Sequence, residues 1–326
     1  MLRDKALKIT GLTKHQYYYK SKGVNQGLKP STHTLNISGN EVDNSEIVSI
    51  IKQTHSNPDT QYGYIKMTYK LKTQGYIINK KKVYRLMKEN QLLGKKYTKK
   101  EKTYAKYRKV LPEKPLHILE MDIKFVWIEQ ARKHSYILTI IDTFTRLTLY
   151  HTVEFSITKN DVKKAWEHII TEHLQPNDCL NKSITIEVRN DNDKRFSAKL
   201  VQDFFKENHL TQVFTHPYTP QENGHIESFH AILSNHLKPY NFWSLDELKQ
   251  NLILFYEHYN NSRIHGSIAY TSPRVFWDLW NMNLIEETVN KKQRKIKFKL
   301  KIPHNEINQY TGNNELEGSS LPSSEG

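Results

Sequence analysis

Cysteine is almost missing from this chain: Cys179 is the single one in 326 residues. One thiol excludes an internal disulfide and any cysteine-based zinc cluster within one chain. Glycine and proline are sparse too, at 12 and 11 positions, which excludes a fibrous or low-complexity polymer. No apolar run approaches the roughly 18 to 20 residues that span a bilayer. Met1-Leu2-Arg3-Asp4 opens neither a secretory h-region nor a transit peptide. These absences leave a soluble cytoplasmic protein as the expectation. At 37% the apolar residues suffice for buried cores, and the length is that of two domains with room for a small third.

Acidic residues are scarce in one half only. The chain carries 49 Lys and Arg against 34 Asp and Glu, a net charge of +15. Residues 1–110 hold 24 basic and 7 acidic residues, so the rear of the chain is close to neutral. A basic front joined to a neutral rear fits an anchor for a polyanion attached to something else. Tyr97, Tyr104 and Tyr107 sit among lysines, where rings stack on bases and lysines meet phosphates. The competing reading is a solvated basic surface.

Along the front half, Leu2, Ala6, Ile9 and Leu12 open a short helical piece with the basic aromatic end Lys14 to Lys20. Residues 23–45 are rich in Gly, Ser, Asn and Thr and read as a loop or linker. Helical spacing resumes from Glu46 with Ile47, Ile50 and Ile51, and a second helix is expected from Tyr64 to Thr73, stopped by Gly75. Asn79 caps a third, in which Val83, Leu86, Met87 and Asn90 share one stripe and Lys81, Arg85 and Lys88 another. Two helices joined at Gly75 have helix-turn-helix spacing, the second presenting cations to a major groove. The rival is an ordinary amphipathic helix with a lysine-rich solvent face. Nine basic residues in 95–115, Lys95 and Lys96 first, favour DNA, and Pro112 and Pro115 mark that segment as a linker.

After Pro115 the texture changes. Leu119, Met121, Ile123, Phe125 and Trp127 alternate with Glu120, Asp122, Lys124 and Val126, as in a strand. Strands at 136–141 and 147–155 complete a meander. A helix capped at Thr158, a fourth strand at 184–188, a helix after Ser197 and a strand around Val213 follow. That order gives an α/β sandwich with a mixed sheet. Ile226, Phe229, Leu233 and Leu237 then mark one helix, and Leu248, Leu252, Phe255, Tyr256 and Tyr259 another. Residues 295–302 alternate lysine with apolar residues as a strand does, and 304–326 form a polar tail.

Three acids stand where this order of elements can bring them together. Asp122 is on the first strand, opposite its apolar row; Asp191 follows the fourth strand; Glu227 is in the second turn of the helix after Gly224. Three hard oxygen donors suit Mg2+ or Mn2+. Two such ions about 3.5 to 4 Å apart activate a water or a 3′-hydroxyl and stabilise the leaving oxygen of a phosphodiester. Singly, each acid reads better as a turn cap or ion-pair partner. Asp142 is read that way, capping Thr143 or Thr145 or pairing with Arg146; Asp193 rivals Asp191, with Glu187 weaker, and His225 and His230 flank Glu227.

Thirty-five residues separate Asp191 from Glu227, and Pro217-Tyr218-Thr219-Pro220-Gln221-Glu222-Asn223-Gly224-His225-Ile226-Glu227-Ser228-Phe229 surrounds the glutamate. Tyr259-Asn260-Asn261-Ser262-Arg263-Ile264-His265-Gly266 and Thr271-Ser272-Pro273 lie downstream, and Tyr62-Gly63-Tyr64 and the segment Lys82–Asn90 upstream. In this order the motifs resemble the OrfB-type transposases of the insertion sequence 3 family, relatives of retroviral integrases with an RNase H-like fold. The resemblance spans about residues 46–280. It departs from the family pattern at Asp193, where a glycine is usual, at Leu119 for an aromatic, and at Ser228 for an arginine.

The resemblance implies an RNase H-like mixed sheet with flanking helices, preceded by an all-α helix-turn-helix region. Asp122, Asp191 and Glu227 become ligands of a two-metal Mg2+ or Mn2+ site; Asn223 and Gly224 shape the turn before the glutamate helix; Arg263 and His265 contact DNA or the core. Lys81, Lys82, Arg85, Lys88, Lys95, Lys96 and Arg263 form the expected DNA-binding set. The expected division is 1–45 (helical segment and linker), 46–94 (helix-turn-helix), 95–115 (basic linker), 116–285 (catalytic core) and 286–326 (basic strand and polar tail). The expected partners are terminal inverted repeats, target DNA, a second copy of the chain, and a separate OrfA-like protein, since no leucine-zipper repeat opens this sequence. The place of action is the bacterial nucleoid. The rival is a catalytically silent DNA-binding protein descended from a transposase; a further one is a structure-specific RNase H-like nuclease.

Overall fold

Short polar side chains, Thr13, Asp43 and Asn79, start three of the helices of the basic front half. The structure, a computed structural model, describes residues 3–19, 30–94, 110–180, 185–215, 220–290 and 295–311. Helices α1 (Arg3–Thr10) and α2 (Lys14–Tyr18) come first. Strands β1 (His33–Asn36) and β2 (Glu41–Asp43) form an antiparallel hairpin, followed by helices α3 (Asn44–Ser56) and α4 (Tyr64–Thr73). Strand β3 (Tyr76–Ile77) then pairs with the free side of β1, and helix α5 (Lys80–Glu89) closes the unit. Asp43 accepts the N–H of Ser45 and Asn79 that of Lys82, satisfying donors that a helix start leaves open. Ile47, Ile51, Met67, Leu71, Val83 and Met87 meet in one core, as their helical spacing requires.

The loop expected over 23–45 needs correction, because its described second half is this hairpin. Strands of three and four residues are too short for alternation to stand out. Gly39 turns the chain between them at φ +80°, where a side chain is strained.

The rear half is built on β4 (Ile118–Ile128), β5 (Lys133–Asp142) and β6 (Thr148–Glu154), an antiparallel meander. After helix α6 (Lys159–Ile169), strand β7 (Ile186–Asn190) joins β4 in parallel; after α7 (Lys199–Glu207), strand β8 (Leu210–Phe214) joins β7. The order β6-β5-β4-β7-β8 is the expected mixed sheet. One face carries α6 and α7, packed on Leu119, Met121 and Ile123. The other carries α8 (Gly224–Leu237) and α9 (Leu245–Asn261), whose Phe229, Leu233 and Phe255 pack on Ile137 and Ile141. The buried row of β4 ends sooner than its alternation predicts: Phe125 and Trp127 are 52% and 43% exposed.

Helix α10 (Pro273–Asn281), strands β9 (Ile285–Asn290) and β10 (Lys295–Leu300) and helix α11 (Ile307–Thr311) complete the described chain. The β9–β10 hairpin is fastened by Phe298, whose ring lies 5.0 Å from that of Phe144 and 4.9 Å from that of Phe276. The two halves of the molecule touch: Ile264 and Tyr270 complete the core of the front unit, and Tyr270 stacks on Tyr69 at 4.0 Å.

Asn260 ties α9 to the sheet. Its amide oxygen accepts from the Thr148 N–H and hydroxyl at 3.0 and 2.9 Å, and its amide nitrogen donates to the Thr148 carbonyl at 3.0 Å. Asn260→Ala removes all three bonds and leaves a half-buried backbone pair unsatisfied. The expected loss is about 2 kcal/mol of unfolding free energy, read from urea midpoints; an unchanged midpoint would show the tie to be dispensable.

Candidate active site

Strand register brings the first two acids level. In the parallel pairing of β4 with β7, Ile118 lies opposite Glu187, Leu119 opposite Val188 and Glu120 opposite Arg189. Two residues further along both chains stand Asp122 and Asp191, the latter immediately past Asn190, where β7 ends. Adjacent strands run about 4.8 Å apart. Alternation turns Glu120 and Asp122 to the face that α8 covers, away from Leu119 and Met121.

The third acid is positioned by a residue that sequence reading passed over. Glu120 is fully buried. Its Oε2 accepts the N–H of His225 at 3.0 Å and of Ile226 at 2.7 Å, and its Oε1 lies 2.9 Å from His225 Nδ1. Those amides open α8, where backbone donors have no intrahelical acceptor and the helix dipole favours an anion. Asn223, the residue at the cap position, contributes no side-chain bond. Glu120 therefore caps α8 from the neighbouring strand, and Glu227 is the next residue after Ile226. A second acid two positions before Asp122, on the same strand face, was the available signal.

The charges of the site feel one another. Burial, then repulsion from Asp122 and Asp193, raises the Asp191 carboxyl above its ordinary range, although the Asp193 N–H donates to its Oδ1 at 3.1 Å. Burial, then Asp122 and Glu120, raises Glu227. His230 Nδ1 stands 3.3 Å from Asp122 Oδ2. Among the described residues no three His, Cys, Asp or Glu side chains already form a metal cage. The donor set nevertheless fits a divalent cation: three carboxylates on three elements, with Asp191 and Glu227 raised by burial and by the charge of Asp122, are what a hard cation relieves.

The rival acids are occupied elsewhere. Asp142 is buried and accepts from the Leu116, Phe144 and Thr145 amides and from the Thr145 hydroxyl, so it caps the β5–β6 turn. Arg146 does not pair with it, donating instead to the Thr143 carbonyl at 2.6 Å. Glu187 pairs with Arg189. Asp193 grips Arg195 with both oxygens, at 2.8 and 2.5 Å. Its backbone lies outside the left-handed region, so the turn after Asp191 makes no demand for glycine here.

The expected DNA-binding cations divide. Lys81 and Lys88 are exposed on α5. Lys82 instead donates to Ser31 Oγ and the His33 carbonyl, and Arg85 to the Ser31 carbonyl, so both tie α5 to the start of the hairpin. Arg263 turns inward and donates to the Asp59 carbonyl, with its Nε buried and unpartnered. Engaged this way, these three side chains are not presented to a phosphate. Lys95 and Lys96 lie outside the described residues.

Glu120 also carries a pH signature. Burial pushes its carboxyl up to about 7, against the pull of the Ile226 amide and of Arg146 and Arg189. A folded-state value above the ordinary 4.5 means that the folded chain holds the proton longer than the unfolded one, so this contribution to stability falls as pH rises from about 4.5 to about 7. Glu120→Gln removes that dependence. Urea unfolding of both proteins across this range is expected to show a destabilisation that is largest near pH 4.5 and shrinks by about 3 kcal/mol toward pH 7; a pH-independent difference would contradict the assignment.

Family models match both halves of the chain. Models of the integrase core domain match residues 112–220 and 208–273, and a model of an HTH-like domain matches 41–100. The chain is 25% identical over 228 residues to an uncharacterized 39.2 kDa protein of insertion element IS476 from Xanthomonas euvesicatoria, covering 69% of this chain but only 62% of that protein, less than two thirds of its length. It is 22% identical over 282 residues to the putative transposase InsK of insertion sequence IS150 from Escherichia coli (strain K12), covering 83% of this chain and 91% of the other. Among solved structures, a chain of the simian T-cell lymphotropic virus intasome aligns with TM-score 0.42 and 15% identity over 71% of this chain and 73% of its own. The HTLV-2 integrase catalytic core in complex with magnesium aligns with TM-score 0.37 and 17% identity over 51% of this chain and 97% of its own. The chain thus carries an HTH-like domain ahead of an integrase core domain and has insertion-element proteins as relatives, an arrangement consistent with the OrfB-type transposases of the insertion sequence 3 family.

Proposed function

We propose that this transposase catalyses metal-dependent strand cleavage and strand transfer at the ends of its element, with Asp122, Asp191 and Glu227 as the carboxylates that hold Mg2+ or Mn2+. One observation carries the reading: acids from β4, from the end of β7 and from the first turn of α8 stand on one side of the sheet, near enough that the charge of Asp122 raises the carboxyls of both Asp191 and Glu227. Divalent ions bound there supply Lewis-acid activation of the attacking oxygen and charge neutralisation at the phosphodiester.

The chain's own groups supply the rest. Glu120 fixes where α8 begins and so where Glu227 stands. His230 orients the Asp122 carboxylate, and the Asp193 amide orients that of Asp191. In cleavage a water oxygen forms the new P–O bond and the 3′ oxygen leaves as a hydroxyl. In transfer that hydroxyl attacks a target phosphodiester, one P–O bond replacing another, so the chain forms no covalent bond to DNA. Lys81 and Lys88, with Lys95 and Lys96 beyond them, hold the terminal inverted repeats; a second copy pairs the two ends, and an OrfA-like protein adds recognition. The DNA-holding unit includes the hairpin from His33, and the catalytic unit is residues 116–285.

A duplex containing an element end, incubated with purified protein and Mn2+, is expected to be nicked at the element boundary. Asp122→Asn, Asp191→Asn and Glu227→Gln should each lower that rate by about 100-fold or more while gel-shift affinity stays unchanged. Mn2+ should raise the thermal midpoint of the wild type and not that of Glu227→Gln. Unaltered nicking in these variants would reject the ligands. End-specific binding without wild-type nicking would favour the silent regulator, and nicking without preference for ends a structure-specific nuclease.

A further inference from the structure

Next to Glu227 lies a cavity of about 510 Å3, between the β5–β6 turn, the first turn of α8, the β10 strand and the chain at Leu111. Its size falls within the roughly 300 to 1,000 Å3 of sites that enclose a small organic group. Its walls are of two kinds. Leu111 and Phe298 offer apolar surface, while Arg146 and Lys295 offer cations. Arg146 spends one N–H on the Thr143 carbonyl, and neither it nor Lys295 has a carboxylate within ion-pair distance among the described residues. Two cations without a carboxylate at ion-pair distance, beside an apolar slot, match the two parts of a nucleotide, a flat base and a phosphate, better than they match a peptide or an acyl chain. Glu227 is itself part of the wall. A nucleotide seated here therefore lies within about one position of whatever phosphate the acids act upon. The cavity is half open, and a base that is still paired brings its partner strand with it, so a base that sinks between these walls is one that has left its pair.

We propose that this cavity is a nucleotide subsite that receives one unpaired nucleotide of the DNA end beside the scissile phosphate, its base against Leu111 and Phe298 and its phosphate at Arg146 and Lys295. The proposal rests on the reading of Asp122, Asp191 and Glu227 as the catalytic acids and adds to it the position of a strand. Neither Ser228 nor any other residue of the first two turns of α8 supplies a cation here, so the charge that meets the phosphate comes from the turn after β5 and from the hairpin after α10.

The experiment uses the full chain without divalent ions and end-containing duplexes in which an abasic site is stepped through the nucleotides flanking the cleavage position on each strand. Affinity is read by fluorescence anisotropy. Ser267, exposed at the cavity rim, is changed to tryptophan to fill the space without touching the acids. One abasic position is expected to weaken wild-type binding about tenfold, the loss of one stacked base, and to cause no further loss in Ser267→Trp. Lys295→Ala is expected to reduce the slope of log affinity against log salt by about one, as for one lost phosphate contact. If every abasic position costs wild type and Ser267→Trp the same, or if the salt slope of Lys295→Ala is unchanged, the subsite is refuted. A protein that nicks at the boundary without this coupling refutes the subsite alone. One that shows the coupling but never nicks refutes the catalytic reading and leaves the subsite.

Discussion

A carboxylate removed from water holds the candidate site in shape. Glu120 sits near the start of β4 with no exposed surface, which is costly for a group that prefers solvent, and burial first, with the charge of Asp122, drives its proton affinity upward. Two backbone donors at the start of α8 would be equally stranded without it, since Asn223 does not cap them. Each defect satisfies the other. The result is a helix whose first turn is locked to a strand by hydrogen bonds of 3.0 and 2.7 Å, so Glu227 is located by the sheet and not by the loop that precedes it.

The same helix is tied down at its far end by the basic front unit. His236 donates to the Asp59 carboxylate at 2.7 Å through Nδ1–H and to the Asn251 amide oxygen at 2.8 Å through Nε2–H. Burial works against charge on both Asp59 and His236, and their mutual contact outweighs it, leaving the acid below its ordinary range and the imidazole above. Arg263 reaches the Asp59 carbonyl from the other side. Helix α8 has 14 residues, about 21 Å of rigid rod at 1.5 Å per residue. It runs from the candidate glutamate to the contact with the unit that precedes the core, so the two halves of the chain share one mechanical element.

Much of this was legible in the residues, and the exceptions have physical causes. The trio stood out because acids at a strand, after a strand and at a helix start answer to a known chemistry, and the α-helical and β periodicities around them are strong. Glu120 did not, because strand alternation labels every second residue polar without saying that helices cover that face as well. Arg85 shares a stripe with Lys81 and Lys88, and Lys82 lies beside it; periodicity cannot tell which of these cations meet the solvent and which meet a neighbouring hairpin. The hairpin itself escaped notice because its strands are short. Strand β9 escaped because Glu286-Glu287-Thr288 carries no apolar alternation, its partner β10 supplying the side chains that pack.

The departures from the family pattern are absorbed locally. An aspartate can replace glycine two residues after Asp191 because the backbone there stays out of the left-handed region, and the new carboxylate finds a bidentate partner in Arg195 in place of adding an unpaired charge beside the trio. That pairing holds Asp193 below the ordinary range of a carboxyl while Asp191 is raised, so the two neighbours differ in proton affinity by environment alone. Ser228 removes a cation from the second turn of α8 and turns its hydroxyl back to the Gly224 carbonyl at 2.7 Å. A DNA strand approaching Glu227 thus meets positive charge from Arg146 and Lys295, which come from elements far apart in the chain. Any account of substrate positioning built on the glutamate helix alone leaves those two cations out.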